Sequence, residues 1–98
     1  MKVFPFKIPK PENETLVVQE DHVPKLYDKL HQHQEIQISL IKKGEGSFII
    51  GDHVGEFRER DIFIIGENLP HVFRNDPLDG EVHMISLLLN LLGLILTI

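Results

Sequence analysis

Residues 31–40 are polar at every odd position and apolar at the even positions from 36 onward, and this pattern constrains the fold more than any other feature of the chain. Successive side chains of a β-strand point to opposite faces of a sheet. The polar face would carry His31, His33, Glu35, Gln37 and Ser39, and the apolar face Ile36, Ile38 and Leu40. The pattern therefore predicts a strand with a polar pocket on one side and an apolar surface on the other.

The apolar face of this strand can be accommodated in two ways, and the sequence leaves both open. In a regular strand the apolar side chains point outward and need cover from another sheet, from the N-terminal arm or from a second subunit, because exposed apolar patches commonly mark interfaces. A β-bulge near Glu35 would instead reverse the alternation and turn the isoleucines inward.

Strand-like runs continue along most of the chain, so the sequence predicts an all-β protein. The turn at 44–46 is expected to close a hairpin between residues 36–41 and 47–50, and the turn at 51–53 begins a second hairpin. Residues 61–65 have the composition of a buried strand. No segment requires a helix.

A single domain over residues 1–98 fits the length, with an N-terminal arm at 1–14, a barrel at 15–83 and apolar strands at 84–98. The last segment carries no charged side chain, but it is shorter than the roughly 20 apolar residues that span a membrane. Three interpretations stay open for it: two buried strands joined by a turn at 90–93, a contact with a second copy of the chain, or a truncated and atypical end.

Charge and composition exclude several classes of function. Fifteen acidic against ten basic residues give a net charge of −5, so we expect no direct DNA binding. The absence of cysteine excludes disulfides and thiol nucleophiles. Proline and lysine interrupt the N-terminal residues, which therefore do not form a secretory signal. We expect a cytoplasmic protein without a membrane anchor.

The spacing of several polar residues resembles the two sequence motifs of the cupin superfamily. The matching positions are, in chain order, His31, His33, Gln37, Gly44, His71 and Asn75. This resemblance implies a cupin double-stranded β-helix, also called a jelly-roll barrel, with the three histidines and Gln37 in one cavity.

Among the cupins, the chain is most similar to the N-terminal sensor domain of AraC-type transcription regulators. The similar phrases are KGEG at 43–46, DIFIIG at 61–66 and NLPHVF at 68–73. The resemblance implies an effector-binding and dimerisation domain. Such regulators normally continue into a DNA-binding helix-turn-helix domain, which this chain has no segment to form.

The resemblance also raises the question of a metal. In metal-binding cupins, residues at the positions of His31, His33 and His71 bind Zn, Mn, Fe or Ni, and an acidic residue stands at the position of Gln37. A neutral amide is a poor ligand for a divalent cation, and Glu35 is only a doubtful substitute because it lies outside the motif register. We therefore favour a site without a metal.

Without a metal, the polar residues can form a pocket for a sugar or a small acid. Hydrogen bonds to such an effector would come from His31, His33, Gln37, Ser39 and His71. The apolar walls would come from Phe48, Phe63 and Phe73.

Two functions from different classes follow. The first is the small-molecule effector-binding and homodimerising sensor of an AraC-type regulator, with no catalytic residues. The second is a small metal-dependent cupin enzyme, of the dioxygenase or sugar isomerase type. An enzyme would need a complete ligand set and a separate acid or base, and Gln37 leaves the ligand set incomplete.

Overall fold

The computed structural model describes residues 3–5 and 16–90 of the chain. In these ranges it contains nine β-strands and one short 3₁₀ turn at Pro77–Asp79, and no α-helix that could cross a membrane. In chain order the strands are β1 Phe4–Pro5, β2 Leu16–Val23, β3 His31–Gln32, β4 Ile36–Lys43, β5 Gly46–Ile50, β6 His53–Phe57, β7 Ile62–Ile65, β8 His71–Arg74 and β9 Val82–Leu89.

The strands form two sheets that pack face to face. The first sheet has the order β1-β3-β8-β5-β6, and the second has the order β2-β9-β4-β7. Neighbouring strands are antiparallel except for the short parallel pair of β1 and β3. This arrangement confirms the predicted all-β cupin barrel.

The strand predicted from the alternating pattern is in fact two strands. His31 lies on β3 in the first sheet, whereas Gln37 lies on β4 in the second sheet, and residues 33–35 carry the chain between them. The alternation nevertheless persists, because His33, Gln37 and Ser39 are all buried. In the part of the chain that the structure describes, the pairing register of β4 shifts between Ile41 and Lys43. The alternative of a bulge near Glu35 that turns the isoleucines inward is therefore wrong.

The turn at 44–46 does not close a hairpin, contrary to the prediction. β4 pairs with β7 and β9, while β5 pairs with β6 and β8. The turn therefore transfers the chain from the second sheet to the first. The second predicted hairpin is confirmed: Ile50 pairs with His53 around a two-residue loop, in which Gly51 has a φ of 59°, a conformation that glycine adopts without strain.

One further expectation for a single strand needs correction. Residues 61–65 were expected to be buried, but β7 is an edge strand on which Ile62 and Ile64 are 65% and 72% exposed. The sequence division at residue 84 falls within β9, which lies between β2 and β4 in the centre of the second sheet. Residues 91–98, including most of the proposed turn at 90–93, lie outside the described residues.

An apolar core fills one end of the space between the sheets. Its largest fully buried side chain is Phe57, which packs edge-to-face against Phe73 at a ring distance of 5.8 Å. Phe63 contacts both Phe48 and Phe73, at ring distances of 4.9 and 5.2 Å. Because this aromatic cluster fills one end, the polar residues are left to line the other end.

Gly46 provides a test of this packing. A Cβ atom at Gly46 would overlap the backbone oxygen of Arg74 and lie 2.7 Å from the ring of Phe57, whereas a Cβ atom at Gly66 would meet nothing within 4 Å. We expect Gly46→Ala to lower the free energy of unfolding by about 2 kcal/mol, because the neighbouring strand backbone cannot move away without loss of pairing. Gly66→Ala should change it by less than about 0.5 kcal/mol. Urea denaturation measures both variants, and equal midpoints would contradict the described packing.

Candidate functional site: a polar pocket in the barrel

A cavity of about 150 Å³ opens between the two sheets. Its polar lining consists of Gln19, Asp21, His31, His33, Gln37 and His71, together with Ser86 and, in the segment between β2 and β3, Lys25 and Tyr27. Its apolar lining consists of Val23, Leu26, Phe73, Met84 and Leu88. The four residues predicted to share one cavity, namely the three motif histidines and Gln37, are all present.

The three histidines form a compact cluster at the polar end. His31 and His71 are directly paired residues of β3 and β8, and His33 follows β3 at the crossing between the sheets. One ring nitrogen from each histidine lies within 4.8 Å of the other two. The ring centroids of His31 and His71 are 4.4 Å apart, and those of His33 and His71 are 4.8 Å apart.

Backbone carbonyl groups orient all three rings. The Nδ1 atoms of His31 and His71 lie 2.7 and 2.8 Å from the carbonyl oxygens two residues earlier, and Nδ1 of His33 lies 3.0 Å from the carbonyl oxygen of Glu35. A carbonyl oxygen can only accept a hydrogen bond, so Nδ1 donates and, in a neutral ring, Nε2 carries the lone pair. Nε2 of His71 is buried and has no hydrogen-bond partner.

Gln37 joins His33 to a buried hydrogen-bond chain. Its amide oxygen lies 3.0 Å from Nε2 of His33, and its amide nitrogen donates to the hydroxyl of Ser39 at 2.8 Å. The hydroxyls of Ser39 and Ser86 are 2.7 Å apart. Ser39 is fully buried behind Gln37, so it supports the pocket rather than lining it.

The orientation of the Gln37 amide decides whether both ring nitrogens of His33 can form hydrogen bonds. Both nitrogens of His33 face carbonyl oxygens, and a neutral ring can donate to only one of them. Turning the amide by 180° lets Gln37 donate to Nε2 of His33 and accept from Ser39, so that every member of the chain is satisfied. In either orientation the amide occupies Nε2 of His33.

Burial keeps two of the histidines neutral at physiological pH. It lowers the pKa of His71 to about 4, against an opposing effect of the hydrogen bond to Leu69, while the nearby histidines lower it further. Burial also lowers the pKa of His31. Neutral imidazoles can accept hydrogen bonds from a ligand or coordinate a metal.

The fit of a divalent metal to this cluster is partial. In all three histidines Nδ1 is hydrogen-bonded to a carbonyl oxygen. Metal-binding histidines in proteins are commonly oriented by a hydrogen bond of this kind. However, the Gln37 amide occupies Nε2 of His33 and supplies no negative charge. The carboxylate of Glu35 approaches the anchored Nδ1 side of His33, at 4.0 Å, and Glu35 is not part of the three-histidine group. The cluster could hold a metal only if Gln37 moved.

Sequence reasoning missed the contribution of β2 to the pocket. Gln19 and Asp21 lie on the inward face of β2, and the amide of Gln19 donates to the carboxylate of Asp21 at 3.0 Å. The sequence signal for this contribution was a pair of polar residues, Gln19 and Asp21, on the same face of the strand as the apolar Val17 and Val23. Their proximity to the histidines could not be read from the sequence, because it depends on how the two sheets face each other.

Asn75, the last residue of the second motif, has a structural part in the site. Its side-chain oxygen accepts a hydrogen bond from the backbone N–H of Leu26 at 2.8 Å, and its amide donates to the carbonyl of Pro24 at 2.8 Å. These bonds hold the segment after β2 over the cavity. Of the three phenylalanines expected to form the apolar walls, Phe73 lines the cavity, whereas Phe48 and Phe63 are partly buried and pack against the core.

A two-sheet antiparallel barrel with histidines at these motif positions defines a cupin domain. A sequence profile of the AraC-like ligand binding domain matches residues 15–96. The chain therefore belongs to the AraC-like ligand binding domain family, within the cupin superfamily. Comparison with curated proteins gives no significant match.

Solved cupin structures share the fold at low sequence identity. A cupin-2 domain protein from Rhodospirillum rubrum superposes with a TM-score of 0.67 and 20% identity, over 84% of this chain and 55% of that protein. A cupin 2 conserved barrel protein from Salinispora arenicola gives a TM-score of 0.66 and 17% identity, over 88% of this chain and 73% of that protein. Oxalate decarboxylase from Bacillus subtilis, described with Mn(II) centres, gives 0.67 and 20%, over 79% and 22%.

The lowered pKa of His71 predicts a pH dependence of stability. Below pH 6.5 the unfolded chain binds a proton at this residue, whereas the folded chain stays neutral there until about pH 4. The free energy of unfolding should therefore fall by about 3 kcal/mol from this residue as the pH decreases through that window. His71→Gln should remove this contribution to the free energy of unfolding. His53→Gln should retain it, because His53 is the first residue of β6 and its side chain is 85% exposed. Urea denaturation between pH 7 and 4 measures the difference, and parallel curves for wild type and His71→Gln would refute it.

Proposed function

We propose that this chain is the effector-binding and dimerisation domain of an AraC-type transcription regulator, acting in the cytoplasm. The observation that carries the proposal is the cavity between the sheets, where neutral histidines and amides stand beside apolar walls. Ligand pockets commonly combine mostly apolar lining with a few polar groups that fix the orientation of the ligand. The effector class we propose is a sugar or another small polar molecule.

The pocket histidines support binding rather than catalysis. Nε2 of His71 is a buried acceptor without a partner, which is costly unless a ligand or water satisfies it. The Gln37 amide holds Nε2 of His33, so that a reactive metal centre is not complete among the described residues. A polar ligand donating to His71 would offset the desolvation cost.

Binding in this cavity can be tested with a panel of small sugars and small acids followed by ligand-detected NMR and calorimetry. We expect at least one member to bind, and His71→Phe to weaken its binding by about tenfold, because one hydrogen bond to the ligand is lost. His53→Phe changes the same residue type at the exposed start of β6 and should leave binding unchanged. If both variants lose the same affinity, or if His71→Phe binds the ligand as tightly as the wild type does, the ligand binds elsewhere.

Dimerisation is the second part of the proposal, and it rests on the outer side of the second sheet. All four of its strands present apolar side chains outward: Leu16, Val18, Ile36, Ile38, Leu40, Ile62, Ile64, Ile85, Leu87 and Leu89. We call this set the outer apolar face. Val18, Ile62 and Ile64 are 62%, 65% and 72% exposed.

A second copy of the chain is the partner that fits the outer apolar face best. The face is a regular sheet surface, and two such sheets can pack about 10 Å apart with aligned strands. The same patch then serves both subunits, as in most homodimers. Each 100 Å² of apolar surface removed from water contributes about 2.5 kcal/mol, so a sheet-sized contact can exceed the cost of association.

Substitutions of two residues that are similarly exposed, one on each sheet, test whether the chain forms this dimer. We expect Ile64→Asp, on the outer apolar face, to shift the wild-type dimer to monomers, because a buried unpaired carboxylate is costly. Val54→Asp is the matched control, since Val54 is 75% exposed but belongs to the first sheet. Sedimentation velocity at micromolar concentrations measures both. A monomeric wild-type protein would show that the face is covered by other means.

A metal-dependent cupin enzyme is the second candidate, and the converging histidines are the observation that favours it. The hydrogen bond between Gln37 and Nε2 of His33 would have to break before a metal could bind all three rings. Elemental analysis of protein expressed with added Mn, Fe, Ni and Zn separates the candidates. We expect well below one metal per chain, and about one per chain, lost in His33→Ala, would favour the enzyme.

A further inference from the structure

The cavity has acceptors of hydrogen bonds on both of its walls. His71 belongs to the first sheet and Asp21 to the second, and both side chains line the same cavity. A ligand that spans the cavity from one sheet to the other can contact both residues. Nothing in the sequence motifs points to Asp21, which lies on β2, ahead of both motifs.

We infer that Asp21 and His71 together select effectors that carry hydrogen-bond donors, namely hydroxyl or amino groups, and reject carboxylates. The inference rests on the proposed effector-binding function and narrows it, because that function by itself would also admit small acids. It makes Asp21 a specificity-determining residue.

The direction of the hydrogen bonds supports this selection. Nδ1 of His71 donates to the carbonyl of Leu69, so its unpartnered Nε2 is left to accept. The carboxylate of Asp21 can only accept, and the amide of Gln19 satisfies one of its oxygens. A carboxylate has room for about four hydrogen bonds in total, so Asp21 retains capacity for donors on a ligand.

The charges around the cavity act in the same direction. Asp21 is the acidic residue of the described lining, and Lys25 is the basic one. The side chain of Lys25 is 60% exposed, and its ammonium group lies 3.3 Å from the carboxylate of Asp28. A ligand carboxylate would therefore be placed near Asp21 without a dedicated cation to neutralise it, in a partly enclosed site where like charges repel more strongly than in water.

The size of the cavity limits the ligand. A cavity of about 150 Å³ corresponds to the space that holds one benzene molecule in an engineered protein. The enclosed part of the ligand is therefore a group of roughly six to nine heavy atoms. Probes of this size can fill the cavity.

Matched probe pairs test the selection directly. In each pair a hydroxymethyl group is exchanged for a carboxylate and both members have the size that fits the cavity: erythritol and erythronate, benzyl alcohol and benzoate. Ligand-detected NMR titrations with the full chain give the dissociation constant of each probe. We expect the donor member to bind at least about tenfold more tightly than the acid in the pairs that bind.

Variants at Asp21 show whether this residue is responsible. Asp21→Asn should reduce the preference for donors by about tenfold, and Asp21→Lys should reverse it in favour of the acids. Asp52→Asn is the matched control, because Asp52 lies at the β5–β6 turn with a side chain that is 98% exposed. Thermal unfolding of each variant identifies any that fails to fold, and the Asn and Lys variants provide independent tests.

The outcomes separate this inference from the proposed function. If the acids bind the wild-type pocket as well as the donors do, or if Asp21→Asn leaves the preference unchanged, the selection by Asp21 is wrong while a binding pocket remains. If neither class binds and the His71 ring signals do not move with any probe, the effector-binding function fails as well. Tighter donor binding that is lost in Asp21→Asn and unchanged in Asp52→Asn supports the inference.

Discussion

The pocket depends on the point where the chain passes from the first sheet to the second, at residues 33–35. There the backbone oxygen of His33 accepts a hydrogen bond from the N–H of Asn68 at 2.8 Å, and its ring donates to the carbonyl of Glu35 at 3.0 Å. These bonds fix the ring of His33 beside His71 and deliver Gln37 to the adjoining sheet. One short crossing therefore sets the relative position of the polar groups on both walls.

The buried polar chain gives the pocket a firm support at an energetic cost. Gln37, Ser39 and Ser86 are each less than a tenth exposed, and they remain in the barrel because each has a hydrogen-bond partner. These hydrogen bonds link β4 to β9, and the same two strands also carry much of the outer apolar face. The pocket and the outer apolar face are thus opposite sides of the same two strands.

Local pattern predicted the faces of the strands but not their partners. The alternation indicated that Gln37 and Ser39 share one face and that Ile38 lies on the other, because side-chain direction follows from the pleat of a single strand. The structure shows that the face of Gln37 and Ser39 is the buried one. The turn at 44–46 was wrongly predicted to close a hairpin, because the same glycine-rich composition suits a hairpin and a passage between sheets. Residues 61–65 were wrongly predicted to be buried, because apolar composition does not distinguish a central strand from an edge strand with an uncovered face.

The sequence by itself determined the all-β class, the motif spacing of the histidines and the replacement of an acidic position by Gln37. Only the tertiary structure decided that Asp21 stands with His71 in one cavity, that His71 is buried deeply enough to have a pKa of about 4, and that Gln37 occupies the ring of His33. The physical reason is the range of the interactions. Side-chain alternation arises within a few residues, whereas burial and the facing of two sheets arise from contacts between strands far apart in the chain.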